Sequence, residues 1–181
     1  MTQLRKNKFY LGRFHGKTEP DNSKSEAQIQ RKVFMRRKLK FIKKSNDIIP
    51  IRLFGYEVPI EDKGHSSKRV DFMGYDKKRN LYIIELKRSK STESMTEIIE
   101  QVNEYEVIVR DIKRFIESEF HDEFLYEIKF TNIKKMILAP YYFYKPKKQQ
   151  LNDLSIYYCR FRTSDIGNEK SQKDVPIHLV H

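Results

Sequence analysis

The sequence predicts one α/β domain: a mixed sheet covered by helices. Three observations carry this. Ile98, Val102, Tyr105, Val109, Ile112 and Ile116 recur at steps of four and three, the stripe of a long helix over residues 95–119. Before it lie two strand-like runs, "VDFMGY" (70–75) and "LYIIELK" (81–87), joined by the polar turn "DKKRN". After it comes "IKKMILAP", which reads as a further buried strand.

Taken in order, residues 1–22 read as an irregular arm, basic at first and ending in the turn signal "TEPDN". Residues 23–181 form the single domain. It begins with a helix over "SKSEAQIQRKVFMRRKLKFIKK", with Ile29, Val33 and Ile42 on its apolar face. "IRLFGYEVPI" reads as a strand broken by Pro59, and "EDKGHSSK" as a polar loop. "SMTE" at 94–97 has capping-box spacing and starts the long helix. "YYFYKPKKQQ" is a loop or helix entrance, "SIYYCRF" a strand, and "VPIHLV" an edge strand.

Charge narrows the partners. Thirty-seven Lys and Arg against 25 Asp and Glu give a net charge of +12 and a pI near 9.6, which favours a polyanion such as nucleic acid or an anionic membrane surface. The single cysteine, Cys159, excludes an intramolecular disulfide framework and a cysteine-rich zinc site. No apolar run approaches the roughly 20 residues of a membrane span, and the N-terminus lacks a signal-peptide core. The expectation is a cytoplasmic protein with no membrane association.

Two strands that should be apolar carry charge. If residues 70–75 and 81–87 form a hairpin closed by five residues, Tyr75 faces Leu81, Met73 faces Ile83 and Asp71 faces Glu85. Lys87 lies two positions beyond Glu85 on the same face. Like charges directly opposed across a hairpin are destabilising, and unpaired carboxylates at the edge of a core are costly. A hard divalent cation, Mg²⁺ or Mn²⁺, between them is one remedy. A salt bridge with Lys87 is the other.

Helical residues accompany them. Glu26 shares a face with Ile29 and Val33 and can point at the sheet; it also has capping-box spacing with Ser23, which explains it locally. Gln101 and Tyr105 are i, i+4 neighbours. Tyr105 belongs to the apolar stripe, while Gln101 flanks it and is less easily explained by packing.

Together, Glu26, Asp71, Glu85-Leu86-Lys87 and Gln101-x-x-x-Tyr105 resemble the PD-(D/E)XK nuclease superfamily, the Gln-x-x-x-Tyr element being typical of its RecB-like branch. "RVDFMGYDKKRNLYIIELKRSK" is similar to the catalytic domain of NucS (EndoMS) type DNA endonucleases. The resemblance covers residues 23–105. It implies a restriction-endonuclease-like αβββαβ core and Mg²⁺-dependent hydrolysis of DNA phosphodiester bonds. It also implies metal binding by Asp71, Glu85 and the Leu86 carbonyl with help from Glu26, a water-orienting Lys87, and Gln101 and Tyr105 supporting the site and approaching the DNA. Cutting two strands often uses two copies, so a homodimer is compatible with this reading; so is a nuclease-fold protein that binds nucleic acid without cutting. The sequence departs from the pattern at Val70, where the superfamily often has proline, and leaves no room for the N-terminal DNA-binding domain of NucS proteins. Their mismatch specificity does not carry over.

Overall fold

The computed structural model describes residues 25–62, 67–166 and 174–180. The basic arm expected over residues 1–22 lies outside the described residues.

Helix α1 (Glu26–Met35) starts at Ser25, whose hydroxyl accepts a hydrogen bond from the Gln28 amide. It ends before Arg37, which takes a left-handed conformation with φ 58°. The helix is shorter than its sequence suggests. Lys38–Ile42 form strand β1 instead, with Leu39 and Phe41 buried and Lys38 and Lys40 exposed. "KLKFI" alternates with the period of a strand, and pairing on both sides overrides the helical character of the basic residues around it. Ile42 therefore belongs to a sheet and not to the face of α1.

Strand β2 (Ile48–Asp62) is antiparallel to β1 and to β3 (Ser67–Tyr75). It does not break at Pro59; the ladder to β3 continues with register shifts between Leu53 and Gly55 and between Pro59 and Glu61. A bulge tolerates a residue that cannot donate a hydrogen bond. Strand β4 (Leu81–Leu86) pairs with β3 in the predicted register, Tyr75 to Leu81 and Met73 to Ile83. Asp76 fixes the connecting turn, accepting hydrogen bonds from the amides of Lys78 and Asn80, the Asn80 side chain and the Tyr82 hydroxyl.

Helix α2 (Met95–Phe124) opens with the expected capping box between Ser94 and Glu97 and outlasts its predicted end by one turn and more. It carries the chain to β5 (Ile133–Pro140), parallel to β4. A short helix α3 (Tyr141–Tyr144) and a 3₁₀ turn (Lys145–Gln150) lead to β6 (Ile156–Phe161), parallel to β5.

Strand β7 (Val175–Leu179) was expected at an edge. It pairs antiparallel with β6 and parallel with β1, so the mixed seven-stranded sheet closes on itself as a barrel. The helices and mixed sheet are as predicted; an open sheet between helices is not what forms. Closure satisfies the backbone groups that two edges would leave unpaired. Its interior is filled by side chains from every strand, among them Leu39, Ile51, Phe72, Ile84, Leu138, Phe161 and Ile177, with Val33 and Phe34 of α1 packed against them. Outside, α2 covers two further clusters. Tyr105, Val109, Ile116 and Phe120 pack on β2–β4, and Met95, Ile98 and Val102 pack near β5 and β6. No helix among the described residues is long and apolar enough to cross a membrane.

Candidate active site

Leu81 and Ile83 face outward under α2 while Tyr82, Ile84 and Leu86 point into the barrel. This alternation puts Glu85 outside, beneath the first half of α2. The β3–β4 ladder has its last pair at Phe72 and Ile84. One residue further, Asp71 stands opposite Glu85, as the hairpin register requires. Its side chain replaces the missing strand contact: Oδ2 accepts a hydrogen bond from the Leu86 amide at 2.7 Å. On the other side of β4 the ladder persists, with the Lys87 amide donating to the Leu138 carbonyl.

The backbone near Asp71 is irregular. Glu57 of β2, which falls opposite Asp71 between the pairs Tyr56–Phe72 and Val58–Val70, has φ 45°. That conformation costs a non-glycine residue roughly 1–3 kcal/mol and persists only where surrounding structure imposes it. Here Val70 and Val58 pack beneath α2 while Phe72 and Tyr56 pack into the barrel, so both strands change face at this point.

Glu85 and Lys87 are both nearly inaccessible, at 5% and 4% exposure. Lys87 Nζ lies 2.9 Å from Glu85 Oε1 and 2.8 Å from Glu93 Oε2, and donates to Gln101 Oε1 at 3.4 Å. Gln101 Nε2 in turn donates to the Tyr105 hydroxyl at 2.5 Å. Glu26 comes from the other side. It is the first residue of α1, after the true cap Ser25, and its Oε2 accepts from the Arg88 amide at 2.9 Å. The local capping explanation for Glu26 therefore fails, and its carboxylate ties α1 to the end of β4. All the residues singled out in the sequence thus meet around this one strand end.

The electrostatics are those of an under-neutralised acidic centre. Burial, and then the charge of Glu85, push the Asp71 carboxyl well above the ordinary aspartate range, against the pull of the Leu86 amide and Lys87. Burial pushes Glu85 up to about 7, opposed by Lys87 and assisted by the charges of Glu93 and Glu26. Lys87 is itself desolvated, yet Glu85 and Glu93 outweigh this and hold its ammonium protonated more firmly than usual. Glu85 Oε2 is buried without a hydrogen-bond partner.

Among the described residues no three His, Cys, Asp or Glu side chains form a ready-made metal cage. The donor set nevertheless suits a hard cation. Two carboxylates oppose each other, one has an orphaned oxygen, and both are raised first by desolvation, Asp71 also by the charge of Glu85 and Glu85 also by those of Glu93 and Glu26. Leu86 directly follows Glu85 in the chain; its amide is engaged by Asp71, and its carbonyl is the remaining oxygen the resemblance assigns.

A consequence can be measured without catalysis. A carboxyl whose pKa is higher in the fold than in the unfolded chain holds its proton more tightly when folded. Between those two values stability falls as pH rises. For Glu85 the window runs from its ordinary 4.5 to about 7. The metal-free protein is expected to melt at lower temperature near pH 8 than near pH 5, by an increment on the order of 2 kcal/mol attributable to Glu85. Glu85→Gln should flatten that difference, and Mg²⁺ should raise the melting temperature of the wild type more near pH 8 than near pH 5. Superimposable pH profiles for wild type and Glu85→Gln would contradict this account of the site.

Two participants were not legible in the sequence. Glu93 grips Lys87 and is held by the Ser91 hydroxyl; it lies just before the α2 cap, and no spacing links it to the other acids. Lys147 donates to the Glu93 carbonyl at 3.1 Å, bringing the aromatic and basic segment after β5 to the rim. The combination "YYFYKPKK" was a signal for it, though not for its position. The chain matches no protein-family profile, no curated protein and no solved structure.

Proposed function

We propose that the protein is a Mg²⁺- or Mn²⁺-dependent nuclease that hydrolyses phosphodiester bonds in DNA, by PD-(D/E)XK-type chemistry. The observation that carries this reading is the end of β4. Asp71 and Glu85 oppose each other there, Glu85 has an unpartnered buried oxygen, and Lys87 lies 2.9 Å from the other oxygen of Glu85. The succession α1, β2, β3, β4, α2, β5 supports it, since it matches the αβββαβ order once β1 is set aside. The barrel is then that core extended by β1, β6 and β7.

Asp71, Glu85 and the Leu86 carbonyl would hold the cation, with Glu26 as a nearby carboxylate. When bound, a divalent ion supplies Lewis acidity toward a phosphoryl oxygen and lowers the pKa of its water. The chain's own residues do the rest. Lys87 keeps one oxygen of Glu85 engaged, leaving the other available, and places an ammonium where charge develops on phosphate. Gln101 and Tyr105 fix that ammonium from α2. The net charge of +12 provides a salt-sensitive grip on the backbone.

One observation favours a second reading, a protein that binds nucleic acid without cutting it: Lys87 is clamped by two carboxylates. Plasmid cleavage with Mg²⁺ that EDTA abolishes supports the nuclease. Binding in EDTA with no cleavage under any divalent ion supports the binder. Glu26 refines the choice. Glu26→Gln retains an acceptor for the Arg88 amide and removes a charge, so it should raise the Mg²⁺ concentration needed for half-maximal cleavage several-fold at unchanged thermal stability. An unaltered metal titration would confine Glu26 to a structural tie.

A further inference from the structure

A second feature lies toward the other end of α2. Lys38, Arg52 and Tyr75 are cross-strand neighbours on β1, β2 and β3. With Arg37 and the aromatic residues that close α2, they line a cleft of about 490 Å³, within the range of small-molecule and cofactor pockets. It is separate from the acidic centre: Phe120 on its wall lies 15 residues past Tyr105, ~22 Å along the helix.

Its lining has a definite chemistry. Three of the walls' side chains are cationic, Arg37, Lys38 and Arg52, and none is acidic. Opposite them stand aromatic rings that the fold exposes: Phe124 at 40% and Tyr126 at 53%. These rings are held in place. The Phe120 ring centroid lies 4.6 Å from that of Phe124, 6.1 Å from Tyr126 and 5.6 Å from Tyr75. Leu125, left-handed at φ 53°, ends the helix and turns the chain so that Tyr126 returns to Phe120. Arg37 is likewise left-handed, and its carbonyl accepts from the Leu53 amide at 2.8 Å, which fixes the cationic rim to β2.

Fixed aromatic faces beside cations suit a ligand that is flat and apolar on one part and anionic on the other. An unstacked nucleobase with its phosphate meets both demands. Duplex DNA offers the phosphates but keeps its base faces stacked, and an anionic lipid surface offers no flat ring. We propose that this cleft binds single-stranded nucleic acid, with bases against Phe124 and Tyr126 and phosphates against Lys38, Arg52 and Arg37. The proposal is independent of cleavage.

The test is fluorescence anisotropy of labelled oligothymidylate against the full chain in EDTA, beside an abasic oligomer of equal length and charge. Tyr126→Ala should weaken oligothymidylate binding about tenfold, the scale of one lost stacking contact, and leave abasic binding unchanged. The double variant Lys38→Ala, Arg52→Ala should weaken both oligomers and reduce the salt slope by roughly 0.7 per lost cation. Thymidine monophosphate should compete far more weakly than the oligomer. These side chains are exposed or half-exposed, and melting curves establish that each variant is folded. Unchanged affinity in both variants would overturn the proposal. So would equal loss of abasic binding in Tyr126→Ala, or competition by the monophosphate as strong as by the strand.

Discussion

Asp71→Asn should eliminate Mg²⁺-dependent cleavage of DNA while leaving the protein folded and its DNA binding intact or tighter. The substitution is chosen for what it preserves. An asparagine oxygen can still accept from the Leu86 amide, so the contact that closes the end of the β3–β4 ladder survives. What disappears is a charge, and one that the fold holds at a cost, since burial and Glu85 already oppose its ionisation. If Asp71 served only to satisfy Leu86, the Asn variant would be as active as the wild type and no less stable. If it holds a cation, removing the anionic ligand forfeits charge stabilisation worth several kcal/mol, on the order of a 10³-fold loss in rate. Glu85→Gln should act similarly, because it withdraws the charge from the orphaned Oε2. Removing either negative charge also lessens repulsion of the phosphate backbone, hence the expectation that binding holds or improves. Plasmid relaxation with Mg²⁺ or Mn²⁺, read beside anisotropy in EDTA and a melting curve, separates these outcomes. Wild-type turnover in either folded variant would remove the assigned centre.

The centre was legible because it depends on short-range order. A five-residue polar turn and period-two alternation fix the β3–β4 register, so Asp71 and Glu85 face each other by counting alone. Gln101 and Tyr105 follow from helical spacing once the capping box sets the start of α2. What the sequence hid depends on distant partners. Lys38–Ile42 lies in a basic run that continues the pattern of α1, and only pairing with β2 and β7 makes it a strand. Sheet closure joins residues 136 positions apart, Leu39 with Val175 and Phe41 with Ile177, and no local signal announces it. Glu26 had two readings, a local cap and a side chain pointing at the sheet, and the choice between them depends on Arg88, 62 residues away. Glu93 reaches Lys87 because the loop after β4 folds back before α2, a path that composition does not encode.

Lys87 offers the other large effect. Lys87→Ala should slow the chemical step by roughly 10²-fold or more, the scale of a positioned proton-transfer or charge-stabilising group. It should also shift the pH dependence. Lys87 holds the Glu85 pKa down against burial, so without it Glu85 stays protonated to higher pH, and the rate should recover partly as pH rises. Lys87→Arg tests what the ammonium does. A guanidinium restores the positive charge between Glu85 and Glu93, but it is a flat fork that stays protonated, with a geometry unlike a compact ammonium bonded to Glu85, Glu93 and Gln101 together. If Lys87 only neutralises buried carboxylates, Arg restores both melting temperature and rate, and Ala loses stability first. If Lys87 orients the attacking water or meets charge on the phosphate, Arg restores stability but not rate. Single-turnover cleavage at saturating Mg²⁺, followed across pH for each variant, distinguishes the two. A stable Lys87→Ala protein with full activity would leave Lys87 as a structural counter-ion and no more.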